Sequence, residues 1–149
     1  MAFWEKEIET IERADLARLQ LEGLRETVRS ALNTRFYKER LAGVGIHSAD
    51  DIRSLEDLKR IPFTTKDDLR RAFPDGLLAV DRAEVVRLHA SSGTTGIPTV
   101  IYHTQADIQR WANLNARSLT ATGCTRADIF QNMMSYGLFT GGLGMHYGA

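Results

Sequence analysis

The sequence has little of what several classes of protein require. Its single cysteine, Cys124, excludes an internal disulfide framework and is typical of a reducing compartment, so we expect a cytoplasmic protein. The 19 basic and 19 acidic residues balance, which predicts neither nucleic acid nor a membrane surface as a partner. No apolar run approaches ~18 residues and the N-terminus lacks the pattern of a signal peptide, so we expect no membrane span.

What the sequence does contain predicts a folded chain of about one domain. Its 149 residues are 43% apolar, which is enough for a core. Amphipathic spacing predicts a helix over residues 15–33 and a shorter one over 36–41. Four hydroxyl residues, each followed three positions later by an aspartate, predict further helix starts. These residues are Ser48, Ser54, Thr65 and Thr104.

Strands are predicted on both sides of a loop rich in glycine and hydroxyl groups. Residues 85–90 alternate apolar and polar side chains, and residues 99–103 form a β-branched and aromatic run. The helix that starts at Thr104 is expected to end near Gly123, and a third strand is expected over residues 128–134. The order of helices, strand, loop, strand, helix and strand predicts an α/β fold.

The loop between the first two strands is the main candidate for chemistry. Glycines allow a close approach of the backbone to a ligand, successive amides form an anion-binding concavity, and hydroxyls add donors. The loop is not a Walker motif, because Ile97 and Pro98 follow its second glycine. A plain hairpin loop is the alternative to a polyphosphate site. The predicted phosphate-binding residues are Ser91, Ser92, Gly93, Thr94, Thr95 and Gly96.

The last fourteen residues, 136–149, combine five glycines with four aromatic or imidazole rings. Glycines interleaved with rings suit a wall against which a flat apolar ligand packs. A mobile terminal loop is the alternative, although such loops are usually polar. The chain stops inside this feature, so we expect a truncated chain or a cloned fragment.

Four segments together resemble the phenylacetate–CoA ligase family of adenylate-forming enzymes. They are residues 61–70, the loop with residues 98–100, residues 102–104 with Asp107, and residues 136–149. The resemblance covers nearly the whole chain but about the first third of a family member. It implies a helical segment over residues 1–75 and the start of an ATP-binding α/β domain, with an incomplete sheet, over residues 76–149.

The resemblance also implies a role for each candidate residue. The loop residues would hold the β- and γ-phosphates of ATP, and Lys66 would reach the phosphates, with an exposed lysine of the first helical turn as the alternative. A lysine is common where Ile97 stands, so one cation near the pyrophosphate is missing. The residues expected to line the aryl-acid pocket, or alternatively to pack in the core, are Tyr136, Phe139, Gly141, Gly142 and His146.

Family members join ATP, an aryl acid and CoA through an acyl-adenylate, with Mg²⁺ as a cofactor. The resemblance places the Mg²⁺ ligand outside this chain, so no metal site is expected within it. It also implies a possible homodimer and phenylacetate as the acid, with a related aryl acid as the alternative. The chain alone is expected to be inactive. A different hypothesis is a stand-alone, non-catalytic module that binds a nucleotide or a protein.

Overall fold

A computed structural model describes residues 2–91, 98–138 and 140–149. The chain divides into two compact units, one formed by Ile11–Arg82 and the other by Met1–Thr10 with Ala83–Ala149. The functional division expected at residue 75 stays a prediction. The described helices and strands are α1 (Lys6–Glu9), α2 (Arg13–Leu32), α3 (Arg35–Ala42), α4 (Lys66–Ala72), β1 (Val85–Ala90), β2 (Val100–Thr104), α5 (Gln105–Ala121) and α6 (Thr140–Gly148).

The unit formed by Ile11–Arg82 is helical, as the amphipathic spacing predicts. Its core consists of four almost fully buried side chains, with α2 and α3 each contributing one. The apolar stripe of α2 faces this core, while its charged residues are exposed except for the half-buried Arg25, which donates to the Ile52 carbonyl at 2.8 Å. Within the described residues, no helix is both long and apolar enough to cross a membrane. The four core residues are Val28, Leu41, Ile46 and Ile52.

All four predicted helix starts are capping boxes, in which a hydroxyl and a carboxylate three residues apart satisfy each other's backbone amides. Those at Thr65 and Thr104 open α4 and α5, and those at Ser48 and Ser54 open the 3₁₀-helices Ala49–Asp51 and Leu55–Arg60. The local sequence pattern therefore located each start correctly. It did not distinguish an α-helix from a 3₁₀-helix.

The box at Thr65 is tied into the fold by two arginines. The Asp68 carboxylate is buried and accepts hydrogen bonds from the Thr65 amide and hydroxyl, both at 2.9 Å. It also pairs with Arg71 at 2.7 Å and with Arg40 of α3 at 3.4 Å. The hydrogen bonds from Thr65, together with the two guanidinium groups, lower the pKa of Asp68 to about 2.

The second unit contains a two-stranded antiparallel sheet. Strands β1 and β2 pair from Val85↔Thr104 to Ala90↔Val100, with an irregularity between Val85 and Arg87. The strand expected over residues 128–134 is wrong: this described segment forms no strand, and Ile129 is 99% exposed. A strand needs a neighbouring strand to complete its hydrogen bonds, and the segment starts instead with a Thr125–Asp128 turn.

Helix α6 occupies most of the glycine-rich tail and packs closely on α5. The ring of Trp111 lies against Gly144, where an added Cβ would come within 2.5 Å of two indole carbons. A Cβ at Gly148 would lie 2.3 Å from the Cβ of Asn115. Both glycines face α5 because they are four residues apart, and small residues let two helices approach closely.

Loss of the Asp68 carboxylate should reduce stability at neutral pH and matter little in acid. The folded-state pKa of about 2 lies below the ordinary value of about 3.9, so the charged group stabilises the fold above pH 4 and loses this effect as pH falls through 2. Urea unfolding of Asp68→Asn and the parent chain, followed by circular dichroism, should show two free energies of unfolding that converge between pH 5 and pH 2.

The matched control is Asp67→Asn, which changes an exposed carboxylate of the same helical turn. Its difference in free energy from the parent should be small and nearly constant over this pH range. A difference for Asp68→Asn that stays constant with pH would show that its carboxylate has an ordinary pKa.

The contact between Gly144 and Trp111 predicts that Gly144→Ala is destabilising. The new methyl group must displace the indole or the helix, at a cost of about 1–3 kcal/mol. Gly23→Ala is the control, since nothing lies within 4 Å of a Cβ at that helical position. Both tryptophans, Trp4 and Trp111, belong to the unit that contains α6, so their fluorescence reports its unfolding in urea.

Fluorescence should show a lower urea midpoint for Gly144→Ala and an unchanged one for Gly23→Ala. Far-ultraviolet dichroism should show a gain in stability of about 0.5–1 kcal/mol for Gly23→Ala, because alanine restricts the unfolded backbone more than glycine. An unchanged midpoint for Gly144→Ala would contradict the close approach of the two helices.

Candidate functional site

The candidate phosphate loop is closed at its base by a reciprocal pair of hydrogen bonds. The Ser91 amide donates to the Thr99 carbonyl at 2.9 Å, and the Thr99 amide donates to the Ser91 hydroxyl oxygen at 3.0 Å. Thr99 is buried and Ser91 is half-buried. The pair extends the β1–β2 ladder by one step, so both ends of the loop are held on the sheet. The other predicted loop residues, Ser92, Gly93, Thr94, Thr95 and Gly96, lie outside the described residues, as does Ile97.

The hydrogen bond from the Thr99 amide uses only part of the hydrogen-bonding capacity of the Ser91 hydroxyl. A hydroxyl has one hydrogen to donate and two lone pairs, and here one lone pair accepts from the Thr99 amide. None of the described residues accepts its hydrogen, which can be donated to an acceptor such as a phosphate oxygen. Ser91 can therefore serve as an anchor of the loop and as a donor to an anion.

The segment predicted to bind the acid lies beside the base of the loop. The Ala90 amide, one residue before Ser91, donates to the Leu138 carbonyl at 2.7 Å. This long-range bond attaches the segment around Tyr136 to the end of β1. The structure thus brings together the described parts of two sites that the sequence predicted separately.

Tyr136 and His146 meet in one polar cluster. The Tyr136 hydroxyl lies 3.0 Å from His146 Nδ1, and the two rings make an edge-to-face contact with centroids 5.6 Å apart. Asn132 donates from Nδ2 to the Tyr136 hydroxyl at 3.2 Å and to the Gly142 carbonyl at 2.7 Å. Tyr136 is 54% exposed, so its ring is accessible to a ligand. Phe139, also predicted for this pocket, lies outside the described residues.

Gly141 and Gly142 accommodate the chain's own residues. A Cβ at Gly141 would lie 2.9 Å from the Met134 sulfur, and one at Gly142 would lie 2.6 Å from the Ser135 carbonyl oxygen. In this structure the two glycines therefore let the turn at Met134 and Ser135 rest on α6. Their expected contribution to an aryl pocket stays a prediction.

A stack of three rings joins the sheet to α5, and His89 is buried while His103 and Trp111 are half-buried. His89, the penultimate residue of β1, is 1% exposed and contacts Trp111 and His103, with ring centroids 5.2 Å away in each case. His103 stacks on Trp111 at 5.5 Å. The same indole packs on Gly144 of α6. Strand β1, strand β2, α5 and α6 are therefore joined through one tryptophan.

The histidines of this stack are held in a poorly hydrated environment. Burial is the main cause that lowers the pKa of His103, and the neighbouring His89 lowers it further. Neither ring nitrogen of His89 has a hydrogen-bond partner among the described residues. The rings of His89 and His103 therefore serve as packing surfaces for Trp111.

Lys66 is the first residue of α4 and is exposed. It makes no hydrogen bond or ion pair with another residue that the structure describes, whereas Asp67 and Asp68 of the same turn are both paired with arginines. Lys66 belongs to the helical unit and Ser91 to the other unit. Its proposed contact with phosphate stays a prediction.

Metal ligands are not clustered in the described parts of the chain. No group of three or more His, Cys, Asp or Glu side chains in residues 2–91, 98–138 and 140–149 is arranged to hold a metal ion. The carboxylates of Asp68 and Asp107 are engaged in capping boxes.

Sequence reasoning missed several residues that shape this site. The pattern assigns Thr99, His89 and Trp111 to strands and to an amphipathic helix, and nothing in it shows that they meet around the loop. Asn132 fell within the strand that does not form. Asn132, Ser135 and Gly137 lie within six positions, residue types that favour turns, and this was the signal available for it.

Comparison with known proteins confirms the resemblance. No family model matches the chain. It is 52% identical over 143 residues to the phenylacetate–CoA ligase of Pseudomonas putida, covering 95% of this chain and 32% of the relative. It is 49% identical over 143 residues to the ligase of Escherichia coli strain K12, covering 95% of this chain and 32% of the relative. It is 48% identical over 147 residues to the ligase of Thermus thermophilus, covering 98% of this chain and 33% of the relative. The chain thus spans about a third of the length of the curated relatives it matches.

Solved structures extend the likeness to the fold. A 2-hydroxyisobutyryl-CoA ligase in complex with 2-HIB-AMP and CoA, in the thioesterification state, has a TM-score of 0.87 at 29% identity and covers 98% of this chain and 32% of its own. The postadenylation state of that ligase, with 2-HIB-AMP, has a TM-score of 0.86 at 27% identity, covering 98% and 31%. The expected fold class is confirmed: the described residues are helix-rich with a two-stranded sheet, and they match an N-terminal part of a CoA ligase.

Proposed function

We propose that the protein acts in the ATP-dependent formation of phenylacetyl-CoA and that this chain supplies the phosphate loop and one wall of the acid pocket. The observation that carries the proposal is the bond between the Ala90 amide and the Leu138 carbonyl, which holds the end of β1 beside the Tyr136–His146 cluster. The similarity to phenylacetate–CoA ligases and to a CoA ligase holding an acyl-AMP and CoA supports the substrates.

In the proposed reaction, a carboxylate oxygen of the acid attacks the α-phosphorus of ATP. An oxygen–phosphorus bond forms, the bond from the α-phosphorus to the bridging oxygen breaks, and pyrophosphate leaves. The CoA thiolate then attacks the acyl carbon, a carbon–sulfur bond forms, and AMP leaves. Negative charge rises on phosphate oxygens in the first step, so donors already in position lower its barrier.

The residues of this chain would share that work. Ser91 would donate its hydroxyl hydrogen to a phosphate oxygen while the Thr99 amide holds its oxygen in place. The backbone amides of Ser92–Gly96 would complete the cradle, and Lys66 would add a charge.

The rings of Tyr136 and Phe139 would face the aryl group beside Gly141 and Gly142, with His146 near the carboxylate. Mg²⁺ would neutralise phosphate charge, held by residues outside this chain.

Two finer expectations belong to the same proposal. A single exposed cysteine, Cys124, fits action in the cytoplasm, where thiols stay reduced. The family resemblance supports a homodimer of the whole protein.

The proposal is best tested by replacing the matching third of the Pseudomonas putida ligase with this chain. The chimera should catalyse phenylacetate-dependent exchange of pyrophosphate into ATP and should form phenylacetyl-CoA. Gly93→Val in the chimera should reduce the exchange severely, because a branched side chain would obstruct the close approach of the loop to phosphate. Circular dichroism and gel filtration would establish that each protein is folded.

The matched control is Gly23→Ala in the same chimera, a glycine substitution with open space around it in α2. It should leave the exchange rate unchanged. A folded chimera without exchange activity would contradict the proposed function, and a folded Gly93→Val variant with normal exchange would contradict the assignment of the loop.

Replacing Lys66 distinguishes a lysine that contacts phosphate from an ordinary surface lysine. As a contact, Lys66→Ala in the chimera should lower kcat for adenylation by ~10–100-fold, which corresponds to the loss of a charged hydrogen bond of roughly 1.5–3 kcal/mol. Lys59→Ala is the control, since Lys59 is an exposed lysine paired with Glu56 in the same helical unit. Equal kcat values for Lys66→Ala and Lys59→Ala would show that Lys66 is an ordinary surface residue.

A further inference from the structure

The side-chain amide of Asn132 makes three hydrogen bonds within residues 132–146, the segment that contains the residues proposed for the acid site. Its Oδ1 accepts from the Met134 amide at 3.1 Å, and its Nδ2 donates to the Tyr136 hydroxyl and to the Gly142 carbonyl. One side chain thus connects the turn before Tyr136 with α6. Asn132 is half-buried, in contrast to the exposed residues on both sides of it.

The orientation of this amide is determined by its partners. The Met134 N–H group can only donate, so it requires the oxygen of Asn132. The Gly142 carbonyl can only accept, so it requires the nitrogen. A flipped amide would place like groups against each other at both positions. Of the two hydrogens on Nδ2, one therefore points at the Gly142 carbonyl and the other at the Tyr136 hydroxyl.

A directed chain of hydrogen bonds follows. The Tyr136 oxygen accepts from Asn132, so its own hydrogen needs an acceptor elsewhere, and among the described residues His146 Nδ1, 3.0 Å away, is the acceptor within reach. Nδ1 then acts as an acceptor, and a neutral imidazole must carry its hydrogen on Nε2. The edge-to-face contact of the two rings holds the imidazole in this orientation.

We propose that Asn132 is a positioning residue that fixes His146 as the Nε2–H tautomer, so that His146 presents a hydrogen-bond donor to the carboxylate of the acid. The recognition of the carboxylate rests on the proposed function, whereas the tautomer rests on the hydrogen-bond geometry alone. Asn132 acts through Tyr136 and His146 and need not touch the substrate itself.

The tautomer is measurable in the 149-residue chain without any activity. Nitrogen NMR of the histidine rings at about pH 8.5, roughly two units above the ordinary pKa of imidazole, reports which nitrogen carries the hydrogen. His146→Gln identifies the resonances of His146 among the four histidines. The parent chain should show the Nε2–H form. Asn132→Asp, which has the same shape but no donor, should show a mixture shifted towards the Nδ1–H form, because its carboxylate would accept the Tyr136 hydrogen.

Gln131→Glu is the matched control, because it makes the same change from amide to acid at the exposed neighbouring residue. It should leave the His146 tautomer as in the parent. Tyr136→Phe removes the hydroxyl while leaving Asn132 intact and should also give a mixture, so it provides the test if Asn132→Asp does not fold. An unchanged tautomer in folded Asn132→Asp or Tyr136→Phe would overturn the inference.

Kinetic measurements on the chimera test whether Asn132 contributes to binding of the acid. Asn132→Asp should raise KM for phenylacetate about tenfold and leave KM for ATP nearly unchanged, while Gln131→Glu changes neither constant. An inactive parent chimera combined with the expected tautomers would contradict the proposed function and support the positioning role. An active chimera in which Asn132→Asp raises both constants equally would overturn the role in carboxylate binding.

Discussion

The indole of Trp111 is the contact on which the arrangement of the site depends. One side of it lies against Gly144 of α6, at a distance that leaves no room for a methyl group, and the rings of His89 and His103 pack around it. Since His89 precedes the phosphate loop by two residues and α6 carries His146, the position of this ring relates the loop to the acid segment. A shift of the indole would move both.

Burial of His89 at the end of β1 has an energetic cost. His89 is buried without a hydrogen-bond partner among the described residues, and an unpaired polar group in an apolar environment costs roughly 1–3 kcal/mol. The flat ring still makes two edge-to-face contacts, which are favourable. A histidine can thus serve as a flat packing surface at the end of β1.

The parts of the fold that local sequence determines could be predicted, and those that depend on distant contacts could not. The box at Thr104 located the start of α5, because a cap needs only residues three apart. The strand expected over residues 128–134 does not form, because this segment has no partner strand in the described chain. The sequence predicts a wall of rings in the tail, yet Thr140–Gly148 is a helix despite four glycines, which disfavour helices. Packing on Trp111 outweighs that propensity, and Trp111 is 33 positions from Gly144.

For the candidate site, the sequence predicted a set of residues but did not show how they are held. Tyr136 and His146 were both expected at the acid, and they do form one cluster. Their link to the loop passes through the Ala90 amide and the Leu138 carbonyl, backbone groups that carry no sequence signature. The same is true of the Thr99 amide that holds Ser91. In the proposed phosphate site, where Ile97 replaces a lysine, backbone donors and the Ser91 hydroxyl would have to stabilise more of the phosphate charge, and donors of that kind act only at short range. The proposal therefore makes the geometry of the loop base, set by the Ser91–Thr99 pair, a stricter requirement here than in a loop that carries its own cation.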